Sequence, residues 1–514
     1  MHHIVVISDI HLCQLEPGED LWMRYRQRAC SPDRAIASMI DGLLAEVTSG
    51  GVCANKKQKP GDSAHLPAGS ARPRITLVLN GDIFDFDAPR VENGRSIFHD
   101  DPRDEEHSVP LTEAILDDHP DFVEAVARVL AEGHSLVFIS GNHDAQMTLP
   151  GVRDVIRRRV LDAAARRTGE DREALAARLL FRAWFHLTAE GVLLEHGNQY
   201  DPYCSFHYPM DPHHRDTRRV QPTLGSLATR LMTSRMGYFN PHVDVTYELS
   251  GRQYVAHWLR YYIGSKHSLL FSWLFGSLRS FFHLAGARDH GNESRYRANI
   301  EAAARETGLP KEKLEEHAAL FMQPIEVAEL RRVARELWQD RLWFTLFSIA
   351  WAVLWLLFVP QRFAAGALAG VAMFVVYEIV TPKLRVRDRW QDVDERAADV
   401  ARVHGARAIV FGHTHHPHAS WEGDLFVGNA GSWSASFLDI ECSQPVFPER
   451  PLVWLKANGE EVEGGLVAWT GTAFKPLVVR EPATAPREPR ASGEEPGAGR
   501  AMSPNFDRIE SIAP

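Results

Sequence analysis

The sequence predicts an α/β fold, with sheets and helices in layers and a long helical insertion breaking the pattern. Three observations predict it. Five compact apolar runs of strand length, rich in β-branched residues, each stop at a short polar motif. Segments with helical spacing alternate with those runs. The stretch after the fourth run loses strand alternation and leads to two long apolar segments before the fifth run begins.

The runs carry the chemistry. Ile4–Ser8 is followed by Asp9-Ile10-His11, and Thr76–Asn80 by Gly81-Asp82 with Asp85 just beyond. Leu136–Ser140 is followed by Gly141-Asn142-His143-Asp144, Val192–Glu195 by His196-Gly197, and Ala408–Phe411 by Gly412-His413-Thr414-His415. Continuous apolar runs suit strands covered on both faces. In layered α/β folds, sites form beyond the carboxyl ends of the strands. Five strand ends can therefore deliver oxygen and imidazole ligands to one place.

Taken in order, the first run is followed by a helix. Ser31-Pro32 offers a capping hydroxyl and then a proline at the first helical position. Ile36, Met39, Ile40, Leu43, Leu44 and Val47 keep helical spacing until Gly50. The polar segment Gly51–Arg74, with its prolines and glycines, reads as a surface loop before the second run. Phe122, Val126, Val129 and Leu130 form a second helical stripe, closed by Gly133. Val152–Leu180 reads as one or two arginine-rich helices, either a solvated face or a surface for anionic lipid or phosphate.

After His196 the pattern changes. His207, His213, His214, His242, His257 and His267 lack ligand spacing and read as loop or packing histidines. Leu269–Ala285 is strongly apolar with one charge, Arg279, and suits a core helix or one lying at a membrane surface. Leu342–Val359 carries no charge across its 18 residues. Pro360-Gln361-Arg362 breaks the run, and Phe363–Val380 continues with Glu378 near its end. Each segment rises about 27 Å as a helix, close to the ~30 Å of a hydrocarbon core. Gly366 and Gly370 have the spacing that lets a neighbouring helix approach. A membrane hairpin is the expectation, against a buried hairpin in a soluble cap. Arg331, Arg332, Arg335 and Arg341 precede it, and Lys383, Arg385, Arg387 and Arg389 follow. The positive-inside rule then puts both ends, and the catalytic part, at the cytoplasmic face of the membrane.

Trp390, Val393, Ala397, Val400 and Val403 return to helical spacing, and Leu425–Val427, Leu452–Leu455 and Leu466–Ala468 read as strands of a closing sheet. From about Glu481 the chain has no periodicity, and a disordered tail is expected.

Composition narrows the class of protein. At 514 residues, length alone suggests about three domains. A formal net charge of −10 argues against general nucleic-acid binding. Five scattered cysteines without CxxC spacing fit a reducing compartment. No secretory signal precedes the first strand, which agrees with a cytosolic catalytic part.

Together the five motifs, in their order, resemble the calcineurin-like metallophosphoesterase superfamily, whose pattern is DxH, GDxxD, GNH(D/E), a later His, and GHxH. The resemblance covers roughly 1–201 and 391–477 and implies a layered β-sandwich flanked by helices. It implies that Asp9, His11, Asp82 and His415 hold one metal ion, and that Asp82, Asn142, His196 and His413 hold a second, with Asp82 bridging. Ligands without thiolate suit Mn²⁺, Fe or Zn²⁺ alike. A carboxylate can bridge because it has two oxygens, and two divalent ions can lower the pKa of a shared water. His143 would donate a proton to the leaving oxygen or stabilise the phosphorane-like charge, oriented by Asp144 or Asp85; the alternative for both carboxylates is hydrogen bonding within turns. Asn429-Ala430-Gly431-Ser432-Trp433 resembles the turn that follows GHTH in the superfamily.

The expected division is 1–201 and 391–480 for the two parts of a metallophosphoesterase domain. Between them comes a helical insertion, 202–390, with its hairpin at 342–380, and a tail follows at 481–514. The expected activity is hydrolysis of a phosphoester or pyrophosphate bond. A lipid or lipid-linked substrate fits a site held at the membrane; a nucleotide or phosphoprotein is the alternative, and a membrane scaffold with a structural metal site is the reading from another class. The chain is also similar to the UDP-2,3-diacylglucosamine pyrophosphohydrolases of lipid A synthesis, whose third motif has Arg where His143 stands here. That departure leaves a lipid-like substrate as the shared expectation.

Overall fold

The first strand shows how the layers arise. In β1 (His2–Ile7) every residue is buried. Val5 and Ile7 join a core shared with helices, while Ile4 and Val6 join a second core shared with another sheet. Successive side chains point to opposite faces, so a strand covered on both sides reads as an unbroken apolar run. The computed structural model from which this follows describes residues 1–15, 32–48, 73–97, 102–215, 218–232, 259, 269–286, 292–328, 330–337, 339–380, 393–434, 450–459 and 461–477. Most of the Gly51–Arg74 loop, the tail from Glu481, Ser31, Trp390, His242, His257, His267 and the basic residues Lys383–Arg389 lie outside them.

The molecule is a mixed α/β structure. Further strands are β2 (Arg74–Asn80), a small hairpin β3 (Arg90–Glu92) and β4 (Arg95–Ile97), β5 (Ser135–Ile139), β6 (Leu179–Arg182), β7 (Phe185–Leu187) and β8 (Val192–Glu195). After the insertion come β9 (Ala408–Phe411), β10 (His418–Glu422), β11 (Leu425–Asn429), β12 (Arg450–Asn458), β13 (Glu461–Trp469) and β14 (Phe474–Pro476). One sheet has the order β14-β13-β12-β1-β2-β5-β6 and the other β10-β11-β9-β8-β7. β1, β2, β5 and β6 run parallel, as do β8, β9 and β11.

The two sheets share a core of Ile4, Val6, Val78, Val137, Val192, Leu194 and Val410. On the outer face of the larger sheet lie α1 (Asp33–Thr48), α2 (Glu105–Asp118), α3 (Pro120–Ala131) and α4 (Pro150–Thr168), packed through Ile36, Ile115, Val126 and Ile156. The smaller sheet is covered on its outer face by residues of the inserted segment, Ile300 and Leu314, and by Val400. The result is helix, sheet, sheet, helix.

Several elements differ from expectation. The closing strands do not form one sheet: β11 joins the smaller sheet, while β12 and β13 extend the larger one and run to nine residues each. Helix α2 carries Pro110 in its interior, which masks it as a helix in sequence. The stretch 152–180 gives α4, a short turn of helix and then β6, whose Leu180 lies in the strand. The arginines of α4 pair with carboxylates on neighbouring helices. Arg159 lies 2.7 Å from Asp117, Arg166 2.9 Å from Glu124, and Arg158 also pairs with Glu113. These pairs on an exposed face favour the solvated-face reading of this run.

In the insertion, α5 (Leu269–Gly286) buries Ser277, Ser280 and Leu284 and exposes Phe275 and Phe282, so it is neither wholly core nor wholly free. Helices α6 (Glu293–Thr307) and α7 (Lys311–Ala318) pack near the smaller sheet. α8 (Gln339–Phe358) and α9 (Phe363–Val380) follow, joined by Pro360–Arg362. α8 is long and apolar enough to cross a membrane, with mean hydropathy 1.7 and 0% of its apolar window buried. A Cβ at Gly366 would overlap the Trp355 ring, so the two helices do approach closely there. Helix α10 (Ala397–His404) then leads back into β9, ending at Gly405 in left-handed conformation.

Candidate metal centre

The parallel strands of both sheets end at one place, and Asn80 at the end of β2 ties them together. Its side-chain amide donates to the carbonyl of Glu195 at 2.9 Å, and its own carbonyl accepts from Ser8 Oγ at 2.8 Å and from the His196 ring at 2.9 Å. The amide of Gly412 donates to the His196 carbonyl at 3.0 Å, and that of Asp9 to the Gly81 carbonyl at 3.2 Å. The four motif loops that follow β1, β2, β8 and β9 are thus held in mutual register by hydrogen bonds.

Backbone strain marks the same residues. Among the described residues the non-glycine positions with left-handed backbone are Asp9, His11, Asp82, Asn93, His413 and His415, all but Asn93 being expected ligands. Each such conformation costs about 1–2 kcal/mol, and strain of this kind gathers at functional sites. Two glycines are explained by close approach. A Cβ at Gly141 would overlap the Asp82 carboxylate and amide, and one at Gly412 would overlap Ser8 and the Asp9 carboxylate.

The expected ligands come together in two buried groups. In the first, His11 Nε2 is 3.4 Å from His415 Nε2, and His415 Nε2 is 3.2 Å from Asp9 Oδ1. In the second, His196 Nε2 is 3.1 Å from Asp82 Oδ2, and the His196 and His413 rings lie 5.3 Å apart. Asp82 Oδ2 is also 3.9 Å from His11 Nε2, between the two groups. Two atoms each about 2.1 Å from one cation stand roughly 3.0–3.4 Å apart, so these spacings suit shared coordination.

Unsatisfied atoms make the same point. Asp9 Oδ1, Asn142 Oδ1 and His196 Nε2 are buried and make no hydrogen bond among the described residues. Buried polar atoms without partners are costly and rare, and Asp9 in one group and His196 in the other each suit a bound cation. His196 gives its other ring nitrogen to the Asn80 carbonyl, the arrangement that orients a ligating imidazole. These buried His and Asp groups could hold a metal ion.

Electrostatics follow from the crowding. Burial raises the Asp82 carboxyl, but the charges of His196, His143 and His11 prevail and hold it well below its usual value. Burial lowers the His196 ring, and the Asp82 charge outweighs it, pushing it up to about 9. Burial likewise opposes the charge on His143, and Asp82, Asp85 and Asp87 overcome it and hold that ring well above its usual value.

The three expected catalytic residues have distinct places. His143 Nδ1 is 3.5 Å from Asp85 Oδ1, and the His143 amide donates to Asp82 Oδ1 at 2.8 Å. Asp85 Oδ1 also accepts from the amides of Asp87 and Ala88, both at 3.0 Å. Asp144 takes the turn-bonding alternative: its carboxylate accepts from the amides of Gly141 at 2.6 Å, Ile83 at 2.7 Å and Phe84 at 3.3 Å. The Asn429–Trp433 turn is structural. Asn429 donates to the Gly412 carbonyl at 2.7 Å, and the Asp9 carbonyl accepts from Ser432 Oγ at 3.0 Å and the Trp433 amide at 3.1 Å.

Sequence reading passes over Asp87, Asp201 and Cys204. Asp201 Oδ2 lies 3.1 Å from His413 Nε2, and Cys204 belongs to the same group. Burial and the Asp201 charge push the Cys204 thiol well above its usual value. Asp201 follows the helical turn Asn198–Tyr200 after β8, and neither it nor Asp87 holds a position in the five motifs. His213 is a packing residue, with Nδ1 2.9 Å from Asp211 and Nε2 3.2 Å from Thr148 Oγ1.

No family model matches this chain, and no curated protein matches it significantly.

Proposed function

We propose that this protein is a metal-dependent hydrolase of phosphoester or pyrophosphate bonds, holding two divalent ions (Mn²⁺, Fe or Zn²⁺) and acting on a lipid or lipid-linked phosphate at a membrane. The observation that carries the reading is the pair of buried donor groups, Asp9/His11/His415 and Asp82/His196/His413, with Asp82 between them. The donor set fits two ions. Asp9, His11 and His415 would hold one, and Asn142, His196 and His413 the other, with Asp82 shared. When bound, such a pair supplies Lewis-acid activation of water and of the phosphoryl oxygens.

The chain's own residues do the rest. The backbone hydrogen bonds to Asp9, Asp82 and Asn80 fix the donors before any ligand arrives, so reorganisation is small. His143 stands beside the centre on its own hydrogen bonds and carries a proton held there by neighbouring carboxylates. It is the proton donor to the leaving oxygen. Asp144 shapes the loop that presents it.

The membrane part of the proposal rests on the α8–α9 hairpin. Trp343, Phe347, Leu357, Phe358, Leu368 and Val371 are all more than half exposed. A contiguous apolar surface of this kind marks a membrane or protein contact. With both ends of the hairpin on the cytosolic side, the body would meet substrate at the bilayer surface.

The test is hydrolysis of an aryl phosphate, a detergent-dispersed lipid phosphate and a soluble nucleotide by Mn²⁺-loaded protein. Wild type is expected to turn over phosphoesters, and Asp82→Asn to lose both activity and bound metal. Full activity of metal-stripped Asp82→Asn would end the hydrolase reading. Equal turnover of lipid and nucleotide, unchanged on deleting 342–380, would end the lipid assignment alone.

A further inference from the structure

We propose that Asp87, anchored by Arg103, is the positioning residue for His143, and that Arg230 makes this positioning depend on the inserted segment. The proposal deepens the hydrolase reading and rests on it.

The distances favour Asp87 over its neighbour. His143 Nδ1 is 3.1 Å from Asp87 Oδ2 but 3.5 Å from Asp85 Oδ1. Asp85 Oδ1 instead gathers the amides of Asp87 and Ala88 at 3.0 Å, building the turn that presents Asp87. The Phe86 amide donates to the His143 carbonyl at 3.1 Å, which locks the two loops together. The other oxygen of Asp87 is 3.3 Å from Arg103 Nη2, and Asp87 and Arg103 are 2% and 3% exposed. A buried carboxylate between a guanidinium and an imidazole is held in one place, since breaking either pair leaves an uncompensated charge.

Arg230 adds the second part. It lies in the helical turn Ala228–Met232 of the insertion and is 2% exposed. Its guanidinium reaches the carbonyls of Phe86 at 3.5 Å, Asp87 at 3.4 Å and, closest, Ala88. Helix α5 packs on this turn so closely that a Cβ at Gly276 would lie 2.5 Å from the Leu231 carbonyl oxygen. One buried side chain therefore connects the helices of the insertion to the turn that carries Asp87.

The chemistry follows from the imidazole. With Nδ1 facing the Asp87 and Asp85 carboxylates, proton delivery falls to Nε2. As the P–O bond breaks, the Nε2 proton passes to the leaving oxygen and gives the alcohol. The neutral ring keeps its Nδ1 proton on Asp87 and takes a new Nε2 proton from water. An ester whose leaving group is a weak base does not need that proton.

The experiment compares phenyl or alkyl phosphate with p-nitrophenyl phosphate, using metal-loaded full-length protein. Asp87→Asn is expected to lower kcat for the poor leaving group by about 10- to 100-fold. The p-nitrophenyl ester is expected to lose less than about threefold, in keeping with a proton-transfer role. Metal content should stay at the wild-type level. Asp87→Glu should recover part of the loss, and Arg230→Met should show the same leaving-group bias as Asp87→Asn. Because these groups are buried, metal content and circular dichroism accompany each variant, and Asp87→Glu serves if Asp87→Asn does not fold. Equal losses on both esters, or no loss, would overturn the positioning role; a bias in Asp87→Asn but not in Arg230→Met would overturn the link to the insertion. No turnover of either ester by metal-loaded wild type would instead remove the hydrolase reading, and this proposal with it.

Discussion

Single residues explain most of the site. A ligand motif such as Gly412-His413-Thr414-His415 is legible because each residue type has a local reason: a glycine where a Cβ would overlap Asp9, then imidazoles on strained backbone. Asp87 is different. Its partners at 103, 143 and 230 are distant in sequence and meet only in the fold, so spacing carried no signal for it. Away from the site, buried histidines set the response to pH. Burial lowers His3 and His186 to about 4 and His404 to about 3. Unfolded, each titrates near the ordinary histidine value of about 6.5. Between those values the unfolded chain binds protons that the folded chain refuses, so stability falls as pH drops below about 6.5. His119 works in the other direction. Burial opposes its charge, but the bond to Asp33 at 2.9 Å prevails and raises it. Its contribution is complete below about 6.5 and is lost as pH rises through the raised value. Denaturant unfolding from pH 4 to 9 should therefore show greatest stability near neutrality; a steady rise in stability toward pH 4 would contradict this.

At the scale of elements, the strands that end in candidate ligands were legible, as were the centres of β11, β12 and β13, while β6, β7 and β10 were not. β1, β2, β5, β8 and β9 read as apolar runs because both faces are covered. β6 and β7 are short and only partly buried, and β10 is almost entirely exposed, so none carries a clear pattern. Helix α2 hides behind Pro110. The hairpin α8–α9 was legible from its lack of charge; among the described residues Gln339 at its base donates to the Ser277 carbonyl at 3.0 Å, and Tyr377 of α9 pairs with Asp340 of α8. An element so placed can be removed without opening either sheet core. Deleting 342–380 is expected to move the protein from the membrane fraction to the soluble fraction while metal content holds. Retention in the membrane fraction after the deletion would contradict the proposed anchoring by the hairpin.

For the molecule as a whole, function depends on topology. The ligands before the insertion and those after it are separated by more than 200 positions, yet His413 donates its amide to Asp9 at 3.0 Å. Parallel strands in two facing sheets make this possible, because their carboxyl ends open on one side. The order of the motifs was legible in the sequence; the partition of strands between two sheets was not, since β11 and β12 are successive in the chain yet lie in different sheets. On the proposed function, this convergence holds two cations side by side. The direct measurement is electron paramagnetic resonance of the Mn²⁺-loaded protein, with the bound metal counted. Two ions per chain with a spin-coupled spectrum are expected; a single ion per chain, or two with the spectrum of isolated Mn²⁺, would contradict it.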